Sequence, residues 1–397
     1  MISAPKITLD ENDMIHVMHG AALLASGGGG SVYDGLDLLC AFKKHHPKTP
    51  VSVDVLSPDM MADCDYSVGV AVMGAPSGAA EQPDLTTCVT SAYEEAQNIA
   101  RLHAKQVKYI MPLEMGGFNT FVPMLISMMS DVPLLDADCC GRAVPGLDTA
   151  LSSINGCATA PIAMADNDGN KVTITTKDPY NAALVETMAL PVVSLFQQNA
   201  GIAGWFLSRE KILNNIPLGT VNLAMQIGEY MRKRFAKKPS ESYVDDLFEG
   251  IDSLGLACAR RLFDMPQTIR EYHTVQQGGW DSGSFLVGEG NEANPEYKVL
   301  FSNENLVVNK IEPDGAENTV ITAPDIISVY NAATCEPLTN EDLENLNRSG
   351  KLESTKVILG IIKVNDRWWN SPDTMSRAWS PYFEHIGYSG GIVRYPG

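Results

Sequence analysis

Acids placed directly after apolar, strand-like runs are the residues of this chain best suited to acid–base chemistry. Glu114 stands in Pro112-Leu113-Glu114-Met115-Gly116-Gly117-Phe118-Asn119, immediately after the β-rich run 107–111. Open parallel sheets bind ligands beyond the carboxyl ends of their strands. Glu114 is therefore read as a general base, with Gly116, Gly117 and Asn119 as substrate-binding positions. The alternative is a Glu114 that caps a helix starting near Asn119. A second polar segment, Asp136-Ala137-Asp138-Cys139-Cys140-Gly141-Arg142, follows the apolar run 132–135. Asp136 and Asp138 share one face of an extended segment, where mutual repulsion can raise one pKa into the range of acid–base catalysis. Arg142 can hold a carbonyl or carboxylate with its planar fork. The competing reading is a salt-bridged turn in which Arg142 neutralises Asp138.

Ser26-Gly27-Gly28-Gly29-Gly30 is the most unusual local feature. Successive amides without side chains can form an anion-binding nest or let a ligand approach the main chain; a purely structural turn is the alternative. The run lacks the Lys-Ser/Thr ending of a Walker loop and the strand-before, helix-after setting of a dinucleotide fingerprint, so no nicotinamide or nucleotide motif is present. Asn303 and Glu304, in a polar cluster within a strand pattern, can either reach the same site from a second domain or hold a hairpin together. Cys139 and Cys140 have no histidine near them in sequence and read as buried, inert thiols. Trp368 and Trp369 read as packing or interface residues.

These residues need a scaffold. Apolar runs at 51–56, 66–73, 107–111 and 132–135 alternate with helical patterns at 10–25, 35–44, 90–103 and 124–130, which predicts an α/β N-terminal domain with a mainly parallel sheet. A hairpin is expected around Asn167-Asp168-Gly169-Asn170, then a helical stretch over 180–262. After Thr268 the chain reads as strand-rich, with turns at Gly278-Gly279, 288–290 and Asp314-Gly315. An α+β, strand-rich C-terminal domain follows, and the expected division is 1–160 and 161–397. The length of 397 residues fits two domains.

With 48 acidic against 29 basic residues the formal charge is −19, which argues against nucleic acid as a partner. The eight cysteines show no C-x-x-C pair, and the seven histidines no H-E-x-x-H spacing. Reduced thiols and a cytoplasmic location are expected. Residues 1–11 carry no apolar signal core, and the apolar stretch 182–207 is interrupted by Glu186, Pro191 and Gln197-Gln198-Asn199, so neither export nor a membrane partner is expected.

LLASGGGGSVYDG, PLEMGGFN, PLLDADCCGRAVPGLD, FSNENL, APDIISVYNAATCEPLT and RWW, in that order, resemble the pattern of the S-methyl thiohydantoin desulfurase-like family across almost the whole chain. The resemblance implies a hydrolase that desulfurates or hydrolyses a thiohydantoin-like ring or related cyclic ureide, and a connection with hydantoinase/oxoprolinase-type enzymes. The chain departs from the pattern at Cys139-Cys140, where Gly-Met is usual, at Gly146, where Pro-Glu-Leu is usual, and at Ser31, where Asp-Pro-Tyr is common. Two carboxylates are thereby missing. The expected chemistry is attack of water on a ring carbon, with Glu114 or Asp138 as base and Arg142 and the amides of 26–30 as electrostatic partners. Asp136, Asn303 and Glu304 are expected to touch the substrate. A divalent metal is left open, with no ligand set apparent. So are a homo-oligomer, a non-catalytic partner subunit of a hydantoinase/oxoprolinase-type complex, and a small-molecule or nucleotide-binding protein.

Overall fold

The computed structural model describes residues 6–74, 85–235, 241–263, 265–277, 280–288 and 296–395. The turns expected at Gly278-Gly279 and at Glu289-Gly290 lie outside the described residues. The chain opens with strand β1 (Lys6–Leu9) and helix α1 (Glu11–Leu24). α1 starts where Asp10 and Asp13 cap each other's backbone amides in a reciprocal box. It buries Met14, Val17, Met18 and Ala21. The glycine run ends it. Ser31 caps α2 (Val32–His45) by accepting from the Tyr33 amide at 3.2 Å.

Next come β2 (Val53–Leu56), β3 (Asp65–Gly74), α3 (Thr86–Leu102), β4 (Gln106–Pro112), α4 (Phe121–Ser130), β5 (Leu134–Leu135), α5 (Leu151–Ile154), β6 (Ile162–Ala165) and β7 (Lys171–Ile174). α6 (Ala182–Leu195), β8 (Asn199–Ser208), α7 (Arg209–Asn215), α8 (Thr220–Phe235) and α9 (Glu241–Ser253) follow. The first sheet has the order β1-β2-β5-β4-β3-β8-β6-β7. β2, β5, β4 and β3 run parallel and form its centre. The other pairs are antiparallel. The N-terminal sheet is thus mixed, with a parallel core between helices. Three of its strands, β6 to β8, come from beyond residue 160.

The expected helical stretch 180–262 needs correction, because Asn199–Ser208 is strand β8, inserted between β3 and β6. Its residues Ala200, Ile202, Ala203, Trp205 and Leu207 are all buried. A strand covered on both faces has no alternation of polar and apolar positions to reveal it.

The second sheet contains β9 (Ala259–Arg261), β10 (Gln267–Gln277), β11 (Trp280–Val287), β12 (Glu296–Ser302), β13 (Glu304–Ile311), β14 (Glu317–Thr322), β15 (Ile326–Asn331), β16 (Pro337–Leu338) and β17 (Lys356–Ile362). All its pairings are antiparallel. α10 (Asn340–Arg348) and α11 (Pro372–His385) complete the domain. Side-chain alternation splits it between two cores. Leu300, Val307, Ile358 and Ile362 join the core of the first sheet. Val299, Phe301, Val308, Leu359 and Ile361 fill a second core on the opposite face. Among the described residues, no helix is long and apolar enough to cross a membrane.

Candidate functional site

A cleft of ≈ 940 Å³, open solvent at its mouth included, lies beyond the carboxyl ends of β3 and β4. The first sheet and its connections contribute the end of β3, Glu114 and Asn119, Gly146 and Leu147, with Glu186 from α6; Gly29, Gly30 and Asp34 form another wall. Asn303, Glu304 and Glu341 close it from the second domain.

Glu114 is held from both sides. Asn119 Nδ2 donates to its Oε1 at 2.8 Å, and the Val144 amide donates to Oε2 at 2.9 Å. Asn119 is itself pinned to β3, accepting from the Val72 amide at 2.9 Å and donating to its carbonyl at 3.2 Å. The carboxyl caps no helix. Burial pushes its pKa up to about 7, against the lowering effect of the two hydrogen bonds. Glu304, 3 % exposed, is driven well above the usual carboxylate range by burial and by the charge of Glu114, with Arg142 opposing.

Arg142 is fully buried behind this wall, 5.2 Å from the centre of the Trp379 ring. Its Nε donates to the Ala143 carbonyl at 2.7 Å, and one Nη to the carbonyls of Pro324 and Asp325 at 2.6 and 3.1 Å. It does not line the cleft and makes no ion pair with Asp138, so the expected salt-bridged turn is absent. Asp138 is also fully buried, its Oδ1 taking the amides of Cys140 (2.7 Å) and Gly141. Asp136 accepts from the Asn222 amide at 3.0 Å, in the first turn of α8. Neither aspartate lines the cleft. Cys139 and Cys140 are completely buried and burial raises their thiols well above the ordinary value. Trp368 packs inside, donating from Nε1 to the Cys140 carbonyl at 3.0 Å.

The glycine run is a joint between the domains more than an anion nest. A Cβ on Gly28 would lie 1.9 Å from Glu304 Oε1, one on Gly29 2.6 Å from the Gly116 Cα, and one on Gly30 2.5 Å from the Phe118 Cβ. Gly117 meets the Val32 amide in the same way, at 2.7 Å. Ser26 Oγ donates to the Asn305 carbonyl at 3.0 Å and accepts from the Ile327 amide at 3.0 Å. The Gly27 carbonyl accepts from the Asn340 amide at 2.8 Å. Only Gly29 and Gly30 of this run reach the cleft, whereas Ser26, Gly27, Gly28, Gly116 and Gly117 stand behind it. Asn303 does both things expected of it. It lines the cleft, and its Oδ1 accepts from the Asp281 amide at 2.9 Å, steadying the reversal from β12 into β13.

Sequence reasoning missed Glu186, Glu341 and Asp34. Burial raises them to about 8, about 9 and about 6. Glu186 was detectable as a lone acid inside an apolar helix, a placement that demands a partner. It accepts from the Leu147 amide at 2.9 Å. A Cβ at Gly146 would lie 1.8 Å from Tyr382 Oη, which donates to Asp148 at 2.7 Å. At the other departure, Ser31 Oγ donates to Asp342 at 2.9 Å, which an aspartate could not do. Among the described residues, no three His, Cys, Asp or Glu are grouped to hold a metal ion.

A two-domain α/β protein with a buried acidic cleft between its sheets is the class defined by this geometry. Two family models match: "S-Me-THD-like, N-terminal domain" over residues 12–176 and "S-Me-THD-like, C-terminal domain" over residues 180–351. The chain belongs to the S-Me-THD-like family. It is similar in fold to a crystal structure of a protein from Chromobacterium violaceum, a structural genomics target, at 21 % identity and a TM-score of 0.81 over 98 % of this chain and 99 % of that one. A search of curated proteins gives no match.

Proposed function

We propose that this chain is a hydrolase acting at a ring carbon of a small thiohydantoin-like cyclic ureide. The observation that carries the reading is Glu114: a buried carboxyl raised to about 7, fixed by two donors beyond a strand end, in the wall of the cleft. A base poised near neutrality takes a proton from water most effectively. The oxygen of that water bonds to the ring carbon as the C=S electrons move to sulfur. Collapse restores a carbonyl as the new hydroxyl gives up its proton and the carbon–sulfur bond breaks; the sulfur takes that proton together with the one held by Glu114 and leaves as hydrogen sulfide. Protonated carboxyls such as Glu186 can donate to the charge that develops on the ring heteroatom. Arg142 acts here as a positioning residue, holding the second domain's 324–325 segment and the field around Glu304. Family membership supports a thiohydantoin-related role; hydrolysis and the ring are this reading's own.

Sulfide release from a thiohydantoin, measured with and without added divalent metal, tests the reading. Release by wild-type protein that is lost in Glu114→Gln supports it. No release under either condition, with no thermal shift on adding the ring, refutes it.

A further inference from the structure

The walls of the cleft carry an unusual balance of charge. Asp34, Glu114, Glu186, Glu304 and Glu341 reach it from five separate segments, while no lysine, arginine or histidine lines it among the described residues. Arg142, the cation behind the wall, does not line the cleft; it gives Nε and Nη1 to main-chain carbonyls, and its buried Nη2 has no hydrogen-bond partner among the described residues. Three of the acids are incompletely satisfied: Glu341 through its Oε2, and the two most deeply buried, Glu186 and Glu304. Glu186 is 4 % and Glu304 3 % exposed, yet Glu186 Oε1 and Glu304 Oε2 have no hydrogen-bond partner among the described residues. Buried polar atoms in native proteins are nearly always paired, so orphan carboxyl oxygens in a cleft wall mark places for a ligand's donors.

We infer that the cleft takes a ring substrate without negative charge, neutral or cationic, and that Glu186 is a side chain that enforces this choice. The identity of the ring rests on the function proposed above; the charge preference rests on the walls alone. Ionised carboxyls accept from ring N–H groups, and protonated ones donate to ring C=O or C=S, so together they match the alternating edge of a cyclic ureide. A ligand carboxylate would be stripped of water and set among acids with no cation to receive it.

Calorimetric titration of three hydantoins that differ only in a side arm ending in amide, ammonium or carboxylate tests this. Butyramide, butylammonium and butyrate form a ring-free trio, followed through the carboxyl carbon-13 resonances of Glu114 and Glu186, assigned with E114Q and E186Q. Titrated at about pH 9, above the values of about 7 and about 8 to which burial raises Glu114 and Glu186, the carboxylate of each trio should bind at least about 30-fold more weakly than its amide, the effect of like charges roughly 8 Å apart at an effective dielectric near 20. E186Q should narrow that gap by at least about threefold. If only the ring-free trio binds and keeps this order, the charge inference stands and the thiohydantoin reading falls. A carboxylate that binds as tightly as its amide overturns the inference, as does an unchanged gap in a folded E186Q protein or no binding by any of the six.

Discussion

Replacing Glu114 by Gln separates a catalytic carboxyl from a structural one, because the two roles respond differently to pH. The folded protein raises this group from 4.5 to about 7, chiefly by burial. That shift corresponds to about 3 kcal/mol of preference for the neutral form. A raised acid stabilises the fold fully below its unfolded pKa, and this stability is lost as pH climbs through the folded value. Wild-type protein should therefore lose about 3 kcal/mol from this one group between pH 4.5 and pH 8. Glutamine carries no such penalty. It does present an NH2 to either Asn119 Nδ2 or the Val144 amide, which leaves a donor unsatisfied at a cost of about 1–3 kcal/mol at every pH. The difference between the two proteins, measured by urea unfolding at pH 5 and pH 8.5, cancels that constant cost and isolates the titration. The variant should gain about 3 kcal/mol on wild type across this window. Turnover should fall by on the order of a hundredfold or more, and the wild-type rate should rise with pH to a plateau above about 7. Parallel stability profiles would refute the burial argument. A loss of turnover under about tenfold would remove Glu114 as the base.

Arg142→Met should cost about 3–5 kcal/mol in urea unfolding, because it strands the carbonyls of Pro324 and Asp325 and leaves Glu304 without its opposing charge. Gly28→Ala places a methyl 1.9 Å from Glu304 Oε1 and should cost about 1–3 kcal/mol of overpacking, together with weaker ligand binding; unchanged values for both would show that Glu304 is free to move. Replacing Cys139 and Cys140 together by Ser should leave turnover within about threefold, since raised, sequestered thiols are poor nucleophiles; abolished sulfide release in a folded protein would transfer the chemistry to that pair.

The strands at the centre of the first sheet were legible because each is a short apolar run closed by a polar, glycine-bearing turn and followed by helical spacing. β8 was not. Its sequence, NAGIAGWFLS, is small and apolar on both faces, and it follows α6 with only a short polar break, so composition alone extends the helix. The error matters for topology. An antiparallel strand inserted after β3 widens the sheet and carries Asn199 and Ile202, which the sequence reading had in a helical stretch, to the cleft.

The two carboxylates read as candidate bases show what sequence can and cannot decide. Both follow parallel strands, and both are raised by burial, Glu114 to about 7 and Asp138 to about 6. The difference is local geometry. A short aspartate side chain reaches the amides two and three residues on, and Asp138 folds back onto Cys140 and Gly141, an arrangement that the glycine at 141 already favours. The longer arm of Glu114 instead spans to the Val144 amide, 30 residues away in sequence, and meets Asn119 from the turn that follows β4. Those contacts come from segments that the sheet brings together, so both exist only once it has formed. Asp138 thus gives one oxygen to its own turn, away from the cleft wall, whereas a carboxyl suspended between separate segments faces the space between them. In this chain that space is the cleft, and the same reasoning selects Glu186 and Glu304, whose unpaired oxygens belong to residues in its wall.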